Sequence, residues 1–325
     1  MGRGQGTRRG RGMCEGWSLE IGMAFHGSVV RLDSSGEPPT WVASINSTAL
    51  GEFLEREIAM HRVEELLEGE HGVGAARLGT ISSNESETIM CGRVRLSSDY
   101  SEIKIRLRFA PDSVPPNFEA SWNKPPTEPM LVAIRSKDGK RIPKMMRWGL
   151  LPHWAKDEKI SFSTFNAQSE DFRTKPAFRD AWRWGQRCLV VTDGFYEWKK
   201  LDSKGKVKQP YAIAMAEGMM VMAGLWARWR DPKSGNEVLS CTILTCDPNE
   251  PMSQLHDRMP VILAESDWPK WLGEEPASEQ ALLALLKPCR GEALKIWPVD
   301  KMVGNVRNNG PQLILPVSNT EEVLA

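Results

Sequence analysis

Apolar and polar positions follow one pattern before residue 90 and another after it. From Met90 onward, short apolar runs are set apart by Pro and Gly: Met130–Ile134, Cys188–Thr192, Tyr211–Met215, Met219–Trp226, Val238–Thr245 and Val261–Leu263. Runs this short, bounded by turn formers, predict strands rather than helices. The fourth and fifth are joined across Asp231-Pro-Lys-Ser-Gly-Asn236, which predicts a hairpin. Helical spacing is confined to Ser98–Arg108, Pro176–Trp184 and Glu279–Leu286, the last entered through Pro276 and stopped by Pro288. Many short strands with few helices predict an α+β fold: a mostly antiparallel, curled, barrel-like sheet with flanking helices. Trp182, Trp184, Trp226 and Trp229 are assigned to its core.

Residues 1–89 read differently. A Gly/Arg tract covers 1–14 and a polar linker covers 78–89. Between them Leu50, Phe53, Leu54, Ile58, Val63, Leu66 and Leu67 recur at near-helical spacing, ending near Gly72. One amphipathic helix cannot bury its own apolar face. The prefix is therefore expected to be largely disordered, an N-terminal extension or a translated upstream segment, ahead of a folded domain at 90–320 and a short tail at 321–325. Charge divides at the same place. Residues 1–89 hold 8 Arg, no Lys and 13 acidic residues, a net −5, while the remainder holds 34 basic and 29 acidic residues, a net +5. A mildly basic body permits nucleic-acid binding without demanding it.

Composition removes several function classes. No apolar run approaches the roughly 18 residues of a membrane span. Glu15, Glu20 and His26 interrupt any secretory signal. The six cysteines (14, 91, 188, 241, 246, 289) form no CxxC pair and no metal-like spacing with the five histidines. No metal or other cofactor is expected, and the compartment implied is a reducing cytoplasm. There is no G-x-G-x-x-G and no P-loop.

Four segments combine reactive side chains with turn formers or aromatics. Met90-Cys91-Gly92-Arg93 contains a cysteine that, as a first residue, would carry an amine and a thiol on adjacent carbons; such a 1,2-aminothiol condenses with aldehydes to a thiazolidine. Phe165-Asn166-Ala167-Gln168-Ser169-Glu170 offers an uncharged amide able to orient a sugar or an amine, or merely an Asx turn. Asp193-Gly194-Phe195-Tyr196-Glu197-Trp198 sets a carboxylate between aromatics, which would desolvate it and raise its pKa toward the range useful for proton transfer. The alternative there is a glutamate on a wet strand face, paired with Lys199 or Lys200. His256-Asp257-Arg258-Met259-Pro260 supplies a proton shuttle near neutral pH, or a structural loop histidine. Arg147-Trp148-Gly149-Leu150-Leu151-Pro152-His153-Trp154 adds aromatics and a cation in a loop, as base stacking requires.

In this order the segments, with Val303-Gly304-Asn305-Val306-Arg307-Asn308, resemble the SRAP family, the SOS-response-associated peptidase-like proteins that shield abasic sites in single-stranded DNA. The resemblance runs from Met90 to about Val317. It implies that Cys91 is the catalytic first residue once Met90 is gone, attacking the abasic aldehyde through its amine and closing a thiazolidine through its thiolate. By the same resemblance Glu197 is the acid/base, His256 protonates the sugar oxygen and assists reversal, and Asn166 positions the cysteine amine. Arg93 and Arg258 match phosphate-binding arginines, and Trp154 a tryptophan at the bend of the strand. Gln168 stands where the family commonly has Arg, so that contact is expected to be lost or moved to Lys175 or Arg179. The partner implied is abasic single-stranded DNA, bound by a monomer. A thiol peptidase built on Cys91, His256 and Asn166, and a non-catalytic single-strand-binding module, are the competing readings. The 89 residues before Met90 matter because an amide nitrogen at Cys91 cannot form a Schiff base. Translation from Met90, proteolytic removal, or a retained prefix with lost activity would each resolve it.

Overall fold

The computed structural model describes residues 92–203 and 205–317, together with the backbone of four strands nearer the start, and the chain divides at Asn84/Glu85 into two units. In the first unit β1 (Gly16–Ile21), β2 (Phe25–Leu32), β3 (Thr40–Ile45) and β4 (Thr48–Phe53) pair antiparallel in that order. Part of this sheet falls on the segment whose spacing predicts a helix. Leu50 and Phe53, assigned to a helix by their spacing, lie on β4, where Phe53 is the partner of Trp41. Cross-strand pairing decides such ambiguous segments, and local periodicity does not contain it. The remaining helical positions, Leu54 to Leu67, fall outside the described residues.

The second unit carries the candidate chemistry. Its strands are β5 (Val94–Leu96), β6 (Ser121–Lys124), β7 (Pro129–Arg135), β8 (Arg141–Trp148), β9 (Asn166–Gln168), β10 (Arg187–Thr192), β11 (Gly194–Lys200), β12 (Lys208–Met215), β13 (Met220–Arg230), β14 (Glu237–Cys246), β15 (Met259–Pro260) and β16 (Leu294–Pro298). The helices are α1 (Tyr100–Arg106), α2 (Arg179–Arg183), α3 (Glu250–Ser253), α4 (Trp268–Leu272) and α5 (Glu279–Leu283). Strands β13, β10, β7, β8 and β14 pair in succession and β14 pairs back onto β13, so the sheet closes into a barrel. Within the ring β14 runs parallel to β8, and it has two further neighbours, β15 antiparallel and β9 parallel. A second, wholly antiparallel sheet runs β16–β12–β11–β5–β6. A single residue, Asp193, separates β10 of the barrel from β11 of this sheet.

Residues on opposite faces of the second sheet enter different cores, as the two-residue period of a strand requires. Phe195 and Ile213 join the main core with Val190, Val221 and Ile243, whereas Tyr196 and Ala212 join a smaller one with Val299, Val303 and Leu313. Each fully buried side chain of this size contributes about 1.5–3 kcal/mol. The α+β, barrel-like architecture expected from the runs is the one observed. The helices are shorter than their sequence patterns: Asp99 caps α1 through the Ser101 N–H, Ser278 caps α5 through the Ala281 N–H, and Gly273, at φ 77°, ends α4. Trp182 and Trp229 are core residues as expected, but Trp184 is 61% exposed at the end of α2, its ring 5.4 Å from that of His153. The helix stops at Arg183, so the outward turn overrides the apolar side chain. Among the described residues, no helix is long and apolar enough to cross a membrane.

Candidate active site

The junction between the two sheets fixes the first described residues of the second unit. The Asp193 carboxylate accepts four hydrogen bonds, from Ser97 N (2.6 Å), Ser97 Oγ (3.0 Å), Ser98 N (2.9 Å) and Ser98 Oγ (2.6 Å). Val94 pairs with Phe195, and the Tyr196 N–H donates to Arg93 O at 2.9 Å. Gly194 cannot be replaced cheaply here: with φ at 156°, a Cβ would run into Ile213 O. The chain just after Cys91 is thereby held alongside the β11 segment that carries Glu197. Cys91 itself lies outside the described residues.

Glu197 is 3% exposed. Its burial has a different origin from the one the sequence suggested. Tyr196 and Trp198 point to the other face of β11, into the smaller core, while Glu197 shares the face of Phe195 and is desolvated from the barrel side. The wet-face alternative does not hold.

Asn166 opens β9, which lies parallel to β14 with Asn166 opposite Ile243. The preceding carbonyl, Phe165 O, accepts from the Ile243 N–H (3.0 Å) and from Trp148 Nε1 (2.9 Å), and Ala167 is buried in the main core. These contacts fix the backbone on both sides of a half-buried amide.

His256 follows α3, its N–H bonded to Met252 O at 2.9 Å, and its side chain is 5% exposed. Nδ1 accepts the Arg258 N–H at 3.1 Å, which places the proton of the neutral ring on Nε2. Nε2 is buried and has no hydrogen-bond partner among the described residues. Burial lowers the pKa below the ordinary 6.5; Asp257 opposes this, while Lys200, Lys208 and Arg258 add to it. When the ring is protonated, Nδ1 can donate instead to Asp257 Oδ1, 2.8 Å away on an exposed side chain. Lys200 ends β11, the strand that carries Glu197, and Lys208 begins β12, so this end of the second sheet contributes to the field at His256.

The two arginines assigned to phosphate make bonds inside the protein. Arg258 forms a bidentate pair with Glu170 (2.8 and 2.7 Å) and also reaches Asp247 Oδ1 (3.1 Å) and Thr245 O (2.9 Å). Burial alone would raise the Glu170 carboxyl, but Arg258 holds it below the usual glutamate value. The guanidinium thereby joins the Asn166 segment to the His256 segment. Arg93 Nη1 donates to Asn123 Oδ1 (2.9 Å) and Val303 O (3.0 Å), and its guanidinium lies 5.7 Å from the Trp198 ring. Asn123 Nδ2 in turn donates to the carbonyls of Val303 (3.1 Å), Asn305 (2.9 Å) and Asn308 (2.9 Å). Sequence reasoning missed Asn123, an isolated asparagine without a local signal, and left Glu170 without a role although it closed a recognised segment.

Trp154 is 46% exposed and its Nε1 approaches Pro176 O at 3.4 Å, which brings it beside Lys175. Lys175 pairs with Asp171 at 2.9 Å and Arg179 with Asp180 at 3.5 Å; Gln168, at the end of β9, is exposed. No cluster suited to a metal ion occurs among the described residues.

A family model described as SOS response associated peptidase (SRAP) matches residues 90–306. The chain belongs to the SRAP family. It is 37% identical over 229 residues to the Abasic site processing protein YoqW of Bacillus subtilis (strain 168), covering 69% of this chain and 99% of that one. It is 30% identical over 230 residues to the Abasic site processing protein HMCES of Gallus gallus, covering 62% of this chain and 67% of the relative. A crystal structure of a protein from Bacteroides thetaiotaomicron aligns with a TM-score of 0.60 at 24% identity, over 70% of this chain and 100% of that one, a likeness of fold. The SRAP match begins at Met90, where the two patterns of the sequence meet.

Proposed function

We propose that this SRAP protein processes abasic sites in single-stranded DNA by becoming covalently attached to them through Cys91. The observation that carries the reading is the β5–β11 pairing, extended by the Tyr196 N–H to Arg93 O bond, which sets Arg93, two residues after Cys91, beside a strand holding a buried carboxyl. The α-amine of Cys91 attacks the C1′ aldehyde of the ring-opened sugar and water leaves, giving an imine. The thiolate then adds to the imine carbon and the nitrogen takes up a proton, closing the thiazolidine. Both nucleophiles belong to one residue, so the second attack is intramolecular, with a large gain in effective concentration. Glu197 acts as acid and base in ring opening and water loss, neutral His256 passes a proton through Nε2, and Asn166 orients the amine. The relatives' printed names support the substrate. Cleavage of the abasic strand by lyase chemistry would proceed from the same imine.

The chemistry requires a free amine, so residues 1–90, Met90 included, must be absent in the active form. The test compares full-length protein, a chain starting at Met90 and its Cys91→Ser and Glu197→Gln variants on denaturing gels after incubation with abasic single-stranded DNA. Crosslinking is expected from the Met90-start chain alone. Glu197→Gln should slow it by about 10²–10⁴-fold, the usual contribution of a positioned acid or base. Heat-stable crosslinking by full-length protein with an intact prefix would refute the N-terminal mechanism. Peptide cleavage by that same blocked protein would point to the Cys91–His256 peptidase instead.

A further inference from the structure

On the face of the second sheet turned away from Glu197 lies a cation with no hydrogen bond or ion pair among the described residues. Val94 and Leu96 of β5 enter the main core, so Arg93 and Arg95 project to the opposite face. Arg93 is bonded as described above. Arg95 is only 8% exposed, and its guanidinium makes no hydrogen bond or ion pair among the described residues; its Nε is fully buried. Buried donors are almost always satisfied, and a buried charge is costly unless something compensates it.

The guanidinium borders an open cleft of about 630 Å³. A second cation, Arg106 of α1, lines the same cleft, half exposed and with its Nε 3.5 Å from Glu265 Oε2, and Ile105, Met215 and Met219 form an apolar wall. Two glycines make the seats. The Cβ position of Gly194 lies 3.3 Å from Arg95 Nε and Nη2, and that of Gly218, at φ 77°, lies 2.6 Å from Arg106 Nη2. Of the acidic groups at the cleft, Asp193 is committed to Ser97 and Ser98, and Glu102 stands on α1.

We propose that this cleft binds a small phosphate monoester, its dianion held between Arg95 and Arg106 and its organic part against Ile105, Met215 and Met219. Paired guanidinium groups suit phosphate oxygens through parallel N–H donors. None of Asn166, Glu197 and His256 lines this cleft, so the site is independent of the abasic-site chemistry.

The test titrates full-length protein with phenyl phosphate, inorganic phosphate and a 5′-phosphorylated oligonucleotide by calorimetry, with thermal melts in parallel. Phenyl phosphate should bind at least tenfold more tightly than inorganic phosphate. Arg95→Met should weaken it at least tenfold while leaving the unliganded melting midpoint unchanged or raised, because an uncompensated buried charge is removed. Arg106→Gln should weaken binding in a protein whose buried residues are intact, so it decides the matter if Arg95→Met does not fold. Glu197→Gln should leave binding unaltered. Competition between the oligonucleotide and phenyl phosphate would identify the phosphate as a strand end, and simultaneous binding would identify it as a free ester. No binding of phenyl phosphate by the unmodified protein, or equal binding by Arg106→Gln, would overturn the proposal. A lowered midpoint with unchanged binding in Arg95→Met would make Arg95 structural and overturn it too.

Discussion

Among the described residues His256 Nε2 is buried and unbonded, while Nδ1 lies within hydrogen-bond reach of both a backbone N–H and a carboxylate. Burial holds its pKa below 6.5, so the folded protein carries a neutral ring at pH 7. Between the folded value and 6.5 the unfolded chain binds more protons than the native one. Stability is therefore complete above pH 6.5 and declines as pH falls through that window. The melting midpoint should drop between pH 7 and pH 5, and His256→Gln should drop less over the same range; equal losses would dissociate the effect from His256. At this scale the sequence singles out candidates where chemistry is carried by residue type, as it does for Asn166, Glu197 and His256. The cause of Glu197's burial was not legible, because neighbours in sequence lie on opposite faces of a strand and the desolvating atoms come from the barrel.

Among the elements, β5 has the tightest constraints. It is three residues long, yet Asp193 fastens its far end and Gly194 allows its partner strand to pass close to Ile213 O. Gly194→Ala should cost about 1–3 kcal/mol in denaturant unfolding, through backbone strain and the Ile213 clash. Gly235, at φ 73° with nothing within 4 Å of a Cβ, is the comparison, and Gly235→Ala should cost about 1 kcal/mol or less. A similar cost at both positions would show that the close approach to Ile213 is not rigid. The long apolar strands β7, β10, β13 and β14 were readable from their runs and the turn at 231–236. β5, β6 and β9 were not, because a strand of three or four residues has no periodicity to read. The closure of the barrel was equally hidden: β8 meets β14 in parallel across some ninety intervening residues, with Ser240 opposite Arg147, and no local pattern encodes that pairing.

For the whole molecule, electrostatics sets how DNA would be held. Arg93 and Arg258 are committed to internal partners, which leaves Trp154, Lys175 and Arg179 as the exposed members of the predicted contact set. Each phosphate contact on a single strand contributes roughly −0.7 to the slope of log affinity against log salt. The double substitution Lys175→Ala, Arg179→Ala should therefore flatten that slope by roughly 1.4, measured by fluorescence anisotropy across salt concentrations. Trp154→Ala should weaken binding by about 1–3 kcal/mol without changing the slope, as expected for stacking. An unchanged slope in the double variant would mean that Asp171 and Asp180 retain the two cations.

The bond from Arg93 to Val303 O spans 210 positions of the chain. At the usual pace of a ribosome, those residues take roughly 10–40 s to appear. Throughout that interval the segment around Met90 has no carbonyl at Val303 on which to dock. The beginning of the domain is thus kept waiting for its end, and in a chain started at Met90 an enzyme that trims nascent chains would meet Met90-Cys91 before Arg93 has docked.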